Sequence, residues 1–218
     1  MKNKTDITII LDRSGSMDAI KTDTIGGFNS FLREQQKVSD EAVLSLVQFD
    51  DQYETVYSDK DIQAAEPLND ETFQPRGTTA LYDAIGRTIN TTGQRLAALP
   101  EGERPNQVIF VIFTDGYENA SREFDAKQIG EMIRHQKEVY SWEFLFIGAN
   151  QDAILSAEQI GIASNKALTF AANAGGTRNA MKMVAEKIQF SRLAPQDFAL
   201  EFNEEDREAQ RKADKNQE

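Results

Sequence analysis

The chain has 218 residues, 36 acidic against 24 basic, for a formal net charge of −12 and a pI near 4.7. That balance opposes binding to DNA, RNA or anionic membranes, all of which need a basic surface. There is no cysteine, which excludes disulfides, thiolate metal sites and cysteine nucleophiles and fits a reducing compartment.

The length favours one domain, with two small ones as the alternative. Met1-Lys2-Asn3-Lys4-Thr5-Asp6 leads into an apolar run too short for a signal-peptide core. No stretch reaches membrane-spanning length, and the expectation is a soluble cytoplasmic protein.

The first predicted strand runs from Asp6 to Leu11, because Ile7-Thr8-Ile9-Ile10-Leu11 is short, apolar and β-branched. Asp12-Arg13-Ser14-Gly15-Ser16 follows it. Ile25, Phe28, Phe31 and Leu32 then recur at helical spacing and predict a helix to about Gln36. Gly26-Gly27 inside it would let the helix pack close to the sheet, or would only weaken its first turn. Ala42 to Phe49 reads as a second strand, Asp50-Asp51-Gln52 as a turn, and Tyr53 to Tyr57 as an antiparallel return. Asp59 to Asn69 reads as loop with a short helical piece.

Thr79 to Leu99 carries Leu81, Ile85, Ile89 and Leu96 at helical spacing, and Pro100 ends it. Val108-Ile109-Phe110-Val111-Ile112-Phe113 is the most hydrophobic run and reads as a central strand covered on both faces. Thr114-Asp115-Gly116 follows at once. A helix over Ala126 to Val139, a strand over Trp142 to Ile147, a helix capped by Asp152 and running to Ile160, a short strand over Ala167 to Phe170 and a closing helix over Thr177 to Phe190 complete the pattern. Strand and helix alternate, which predicts a doubly wound, Rossmann-like α/β sheet. Residues 1–194 are expected to form the domain. Residues 195–218 are a charged tail, helical or disordered.

Three polar clusters fall at the carboxyl ends of predicted strands or on loops beside them: Asp12/Ser14/Ser16, Thr78/Thr79 and Asp115. In a parallel sheet these ends lie along one edge, so clusters distant in sequence can meet. Hydroxyls and carboxylates are hard oxygen donors that suit Mg²⁺, with Mn²⁺ or Ca²⁺ as alternatives. Taken singly, each has a plainer reading: Asp12, Ser14 and Ser16 as a turn and helix N-cap, Thr79 as an N-cap, Asp115 as a turn residue before glycine. The one histidine, His135, stands among polar neighbours on a predicted helix. That removes a histidine-based zinc site and weakens any Ser-His-Asp triad. No phosphate-binding glycine loop is present.

Asp12-Arg13-Ser14-Gly15-Ser16, then Gly77-Thr78-Thr79-Ala80-Leu81-Tyr82-Asp83-Ala84, then Thr114-Asp115-Gly116, resembles the von Willebrand factor A family and its metal-ion-dependent adhesion site. The resemblance runs from about Thr5 to Ser191. It implies five parallel strands and one antiparallel edge strand, with helices on both faces and one divalent cation at the top. Ser14 and Ser16 would be direct ligands, Asp12 direct or through water, Thr79 through its hydroxyl, and Asp115 mainly through water. The family usually has two glycines before its threonine, whereas this chain has Gly77-Thr78-Thr79. The register of Ala80 to Ala84 selects Thr79 and leaves Thr78 the lesser candidate. Asp18 and Asp83 lie near the motif without belonging to it.

The function implied is a binding module, not an enzyme, in which the metal takes an Asp or Glu of a partner protein. In several family members such binding is coupled to movement of the closing helix. An adaptor of an AAA+ ATPase is the alternative by analogy. A metal-dependent hydrolase lacks an evident general base.

Overall fold

The computed structural model describes residues 4–149, 153–193 and 199–215. Six strands form one sheet in the order β3-β2-β1-β4-β5-β6: β1 (Lys4–Asp12), β2 (Glu41–Phe49), β3 (Tyr53–Asp61), β4 (Gln107–Thr114), β5 (Glu143–Gly148) and β6 (Ala167–Thr169). Only β3, at the edge, is antiparallel to its neighbour. The helices are α1 (Lys21–Gln36), α2 (Leu81–Ala98), α3 (Ala126–Tyr140), α4 (Ala153–Gln159), α5 (Ala174–Leu193) and α6 (Glu204–Lys215). The mixed doubly wound sheet is the architecture that the alternating pattern predicts. The predicted Asp152 cap lies outside the described residues. No helix among the described residues is long and apolar enough to cross a membrane.

Side chains alternate across the central strands, so each strand serves two cores. Ile7, Ile9, Leu11, Ile109, Val111 and Phe113 pack with Phe28 and Phe31 of α1 and Met181, Val184 and Ile188 of α5. Ile10, Phe110 and Ile112 face the other way, against Ile85 and Ile89 of α2 and Ile129 and Ile133 of α3. Burying one such side chain contributes roughly 1.5–3 kcal/mol. On β1 the residues of this second face are Asp6, Thr8, Ile10 and Asp12, so the strand is polar at both ends of one side.

Three local differences from the sequence reading have physical causes. The return strand β3 runs on past Tyr57 to Asp61, because a bulge absorbs Ser58 and Asp59. Asp59 takes a positive φ of 51° there, and its N–H donates to the Ser45 hydroxyl at 3.0 Å. Gly27 fits α1 against α5, not against the sheet: a Cβ there would stand 2.9 Å from Met181 Cγ. The polar tail forms α6, which is largely exposed outside but docks on α5 through Gln210, only 1 % exposed. The Gln210 amide donates to Gly176 O at 3.0 Å and accepts from Asn179 Nδ2 at 2.9 Å. Leu200 and Phe202, just before α6, are buried in the α1–α5 core.

Candidate metal centre

β1 pairs with β2 up to Asp12 opposite Phe49, so Asp12 is the strand's last residue and fully buried. Both carboxylate oxygens are engaged. Oδ1 accepts the Ser14 N–H at 2.6 Å, an Asx turn that swings the chain off the strand. Oδ2 accepts the Thr114 hydroxyl at 2.6 Å from the end of the neighbouring strand β4. A 3₁₀ turn over Gly15–Ile20 comes next, anchored by buried Met17 and Ile20. Ser14 stands at its N-cap position without its side chain capping it. The Ser14 and Ser16 hydroxyl oxygens instead lie 3.2 Å apart, and Ser16 Oγ donates to Asp115 Oδ1 at 2.7 Å.

Thr79 arrives on a strap over residues 76–80. Arg76 N donates to Arg13 O, Gly15 N to Gly77 O, and Ala80 N to Asp50 O, at 2.8, 3.2 and 2.9 Å. Gly77 has φ +65°, and a Cβ there would meet Asp51 Oδ1 at 2.2 Å, so glycine is required. Thr79 is buried, whereas Thr78 is exposed, and the N-cap of α2 falls on Ala80. A Cβ placed on Gly116 would stand 3.0 Å from Thr79 Oγ1, 3.7 Å from Ser16 Oγ and 3.8 Å from Asp12 Oδ2. Three loops therefore bring hydroxyl and carboxylate oxygens around one small space, and Gly116 leaves it open.

Burial pushes the Asp12 carboxyl up to about 6, against the hydrogen bonds from Thr114 and Ser14 and with a further push from the Asp115 charge. Burial also raises Asp115, opposed by the Ser16 hydroxyl. Among the described residues neither carboxylate has an ion-pair partner. Arg13, next in sequence to Asp12, turns its guanidinium elsewhere: Nε reaches Asp50 Oδ2 at 3.0 Å and Nη1 reaches Glu54 Oε2 at 2.6 Å. Arg76 Nε joins the same Asp50 oxygen at 2.8 Å. No three His, Cys, Asp or Glu side chains cluster as metal ligands among the described residues. The donors here are two carboxylates and three hydroxyls. Such an all-oxygen set, with negative charge buried and unpaired, fits a hard divalent cation.

Neighbouring acidic residues order the loops. Asp83, a candidate by proximity, accepts the Glu123, Phe124 and Arg122 N–H groups at 2.9, 3.0 and 2.9 Å. Burial alone would raise its carboxyl, but these three bonds together hold it below the usual range. Asp18 is exposed. Three contributors had no role at the site assigned from the sequence, although Thr114 stood in the quoted motif and Asp50 in a predicted turn. Thr114 closes Asp12. Asp50 ties Arg13 to Arg76. Glu118 accepts from Tyr82 N, Ala120 N, Ser121 N and the Ser121 hydroxyl. The side-chain polarity of Thr114 at the end of an apolar strand was the one available signal.

The doubly wound mixed sheet with hydroxyl and carboxylate oxygens gathered at its carboxyl edge defines a class of α/β domain. The chain matches the model of the von Willebrand factor type A domain over residues 6–186 and belongs to that family. Among solved structures, the chain is similar to proximal thread matrix protein 1 of the mussel byssus with a zinc-occupied MIDAS motif, at 17% identity and TM-score 0.59, covering 86% of this chain and 46% of that one. It is similar to the pilus adhesin SpaC of Lactobacillus rhamnosus GG, at 15% identity and TM-score 0.64, covering 87% and 30%. It is also similar to the manganese-loaded TRAP protein of Plasmodium vivax, at 14% identity and TM-score 0.56, covering 82% and 72%. At these identities the likeness is one of fold. The chain spans about half the length of the mussel protein. No curated protein sequence matches it.

Proposed function

We propose that this chain is a divalent-cation-dependent protein-binding module. Asp12, Ser14, Ser16, Thr79 and Asp115 would hold one Mg²⁺, and the partner would contribute an Asp or Glu carboxylate. The observation that carries this reading is the convergence of Thr79 Oγ1, Ser16 Oγ and Asp12 Oδ2 on the open space at Gly116. The cation would supply an electrophilic position for the incoming carboxylate. The chain's own part is to hold hydroxyls and carboxylates together against their preference for water. Asp50, Arg13 and Arg76 do this by fastening the Asp12 loop and the 76–80 strap to the turn after β2.

Binding rather than catalysis is favoured because the Ser14 and Ser16 hydroxyls are occupied with each other and with Asp115, and His135 is exposed on α3, away from Ser14 and Ser16. Family membership supports the reading, since von Willebrand factor A domains are commonly metal-dependent binding modules. The lack of cysteine supports a cytoplasmic setting.

Affinity capture from the native cell with the full chain as bait tests the proposal. A partner should be retained in Mg²⁺, and lost both in EDTA and with Asp12→Ala. Equal retention in all three conditions would refute it. In parallel, Mg²⁺ at a hundred times its Kd should stabilise the wild-type chain by about 2.7 kcal/mol and leave Asp12→Ala unmoved.

A further inference from the structure

At the other end of the sheet, α2 and α3 diverge over the start of β4 and β5. They leave a cleft of about 540 Å³, within the range of small-molecule sites of about 300–1,000 Å³. Its lining combines apolar floor with aromatic rings: buried Trp142, exposed Tyr140 and His135. Trp142 stacks on Phe110 at 5.2 Å, which fixes its ring, and His135 meets Tyr140 edge-on at 5.7 Å.

The charge of the cleft opposes that of the molecule. Of 218 residues 36 are acidic, yet no Asp or Glu stands among the described lining residues, and Arg104 does. The Arg104 guanidinium donates only to the carbonyls of Leu99 and Ala97, at 3.2 and 3.5 Å. It has no carboxylate partner among the described residues. Gln136 also lines the cleft, with its Oε1 buried and without a partner.

A glycine keeps the cleft open. In α2, Gly86 is required by packing, because a Cβ there would stand 2.7 Å from the Phe124 ring. Gly93, one of the residues lining the cleft, is not so required: its Cβ would meet only Trp142 Cη2, at an ordinary 4.0 Å. A glycine in a helix interior is unfavourable, and here neither packing nor backbone geometry calls for it. Its absent side chain leaves the space over Trp142 free.

We propose that this cleft is a binding site for a small aromatic carboxylate, with the ring against Trp142 and Tyr140 and the carboxylate on Arg104. The site is separate from the metal centre and independent of it. Trp142 is the chain's one tryptophan, so its emission reports the site directly. Phenylacetate should change that emission saturably, and equally well in EDTA or with Asp12→Ala. Phenethylamine, of the same size and opposite charge, should not. Arg104→Gln should weaken phenylacetate about tenfold, as loss of one charge-assisted contact predicts. Gly93→Leu should abolish binding, while Gly93→Ala, a smaller change that favours the helix, should keep it. No saturable response to phenylacetate, an equal response to phenethylamine, or indifference to Arg104→Gln would each overturn the proposal. The Arg104→Gln result decides even if Gly93→Leu does not fold.

Discussion

The two ends of the sheet solve opposite problems. At the carboxyl edge, Asp12, Asp50 and Asp115 bring negative charge inward, and backbone N–H groups, hydroxyls and two arginines hold it there. At the amino edge, the cleft under α2 and α3 is lined by aromatic, aliphatic and amide side chains with one arginine and no described carboxylate. The same strands serve both ends. The difference lies in the segments that flank the strands: turn-forming Asp, Ser, Thr and Gly on the carboxyl side, and helix ends with bulky apolar residues on the amino side. The two proposed sites therefore lie on two edges of one sheet without sharing a residue.

The largest expected effect probes the first edge. Asp50→Ala leaves the nearly buried guanidinium of Arg13 with the half-exposed Glu54 as its one carboxylate partner among the described residues, and releases Arg76. It should cost about 3–5 kcal/mol in chemical denaturation. If phenylacetate still titrates Trp142 in the folded fraction, the two edges are independent. A joint loss would mean that the two edges are coupled.

Next comes the pH dependence of Asp12. Its folded carboxyl is raised from 3.8 to about 6, so the folded chain holds the proton more tightly than the unfolded one. The stability that Asp12 contributes is full below its unfolded value and is lost as pH rises through about 6. In metal-free protein, Asp12→Asn should gain up to about 3 kcal/mol at neutral pH and nothing in strong acid. With Mg²⁺ the order should reverse, the wild type becoming the more stable. Thermal melts across pH, with and without the ion, measure both signs.

The smallest effect sharpens the second edge. Gly93→Ala should stabilise the chain by roughly 0.5–1 kcal/mol through helix propensity alone. A loss of stability would mean that the glycine is needed for packing after all, against the 4.0 Å clearance over Trp142.

Much of the architecture was legible in the sequence. The central strands announced themselves because a strand covered on both faces must be apolar throughout, as Val108 to Phe113 is. The three polar clusters could be set side by side because a parallel sheet sends strand ends to one edge, and the resemblance to the von Willebrand factor A motif then selected the five candidate ligands among them. The tail was only half legible: α6 docks through Gln210, a polar residue that carries no hydrophobic signal. The bulge that extends β3 was hidden for a similar reason, since it depends on a hydroxyl of the partner strand.

What the sequence by itself determined is therefore the order of the elements and the identity of the residues at the carboxyl edge, because burial period and turn chemistry are local. Tertiary structure alone decided which charges meet. Arg13 adjoins Asp12 in the chain but serves Asp50, 37 residues away. Thr114 closes Asp12 from 102 residues away. Local pattern records which side chains are buried. It does not record the partner that each finds once the strands lie side by side.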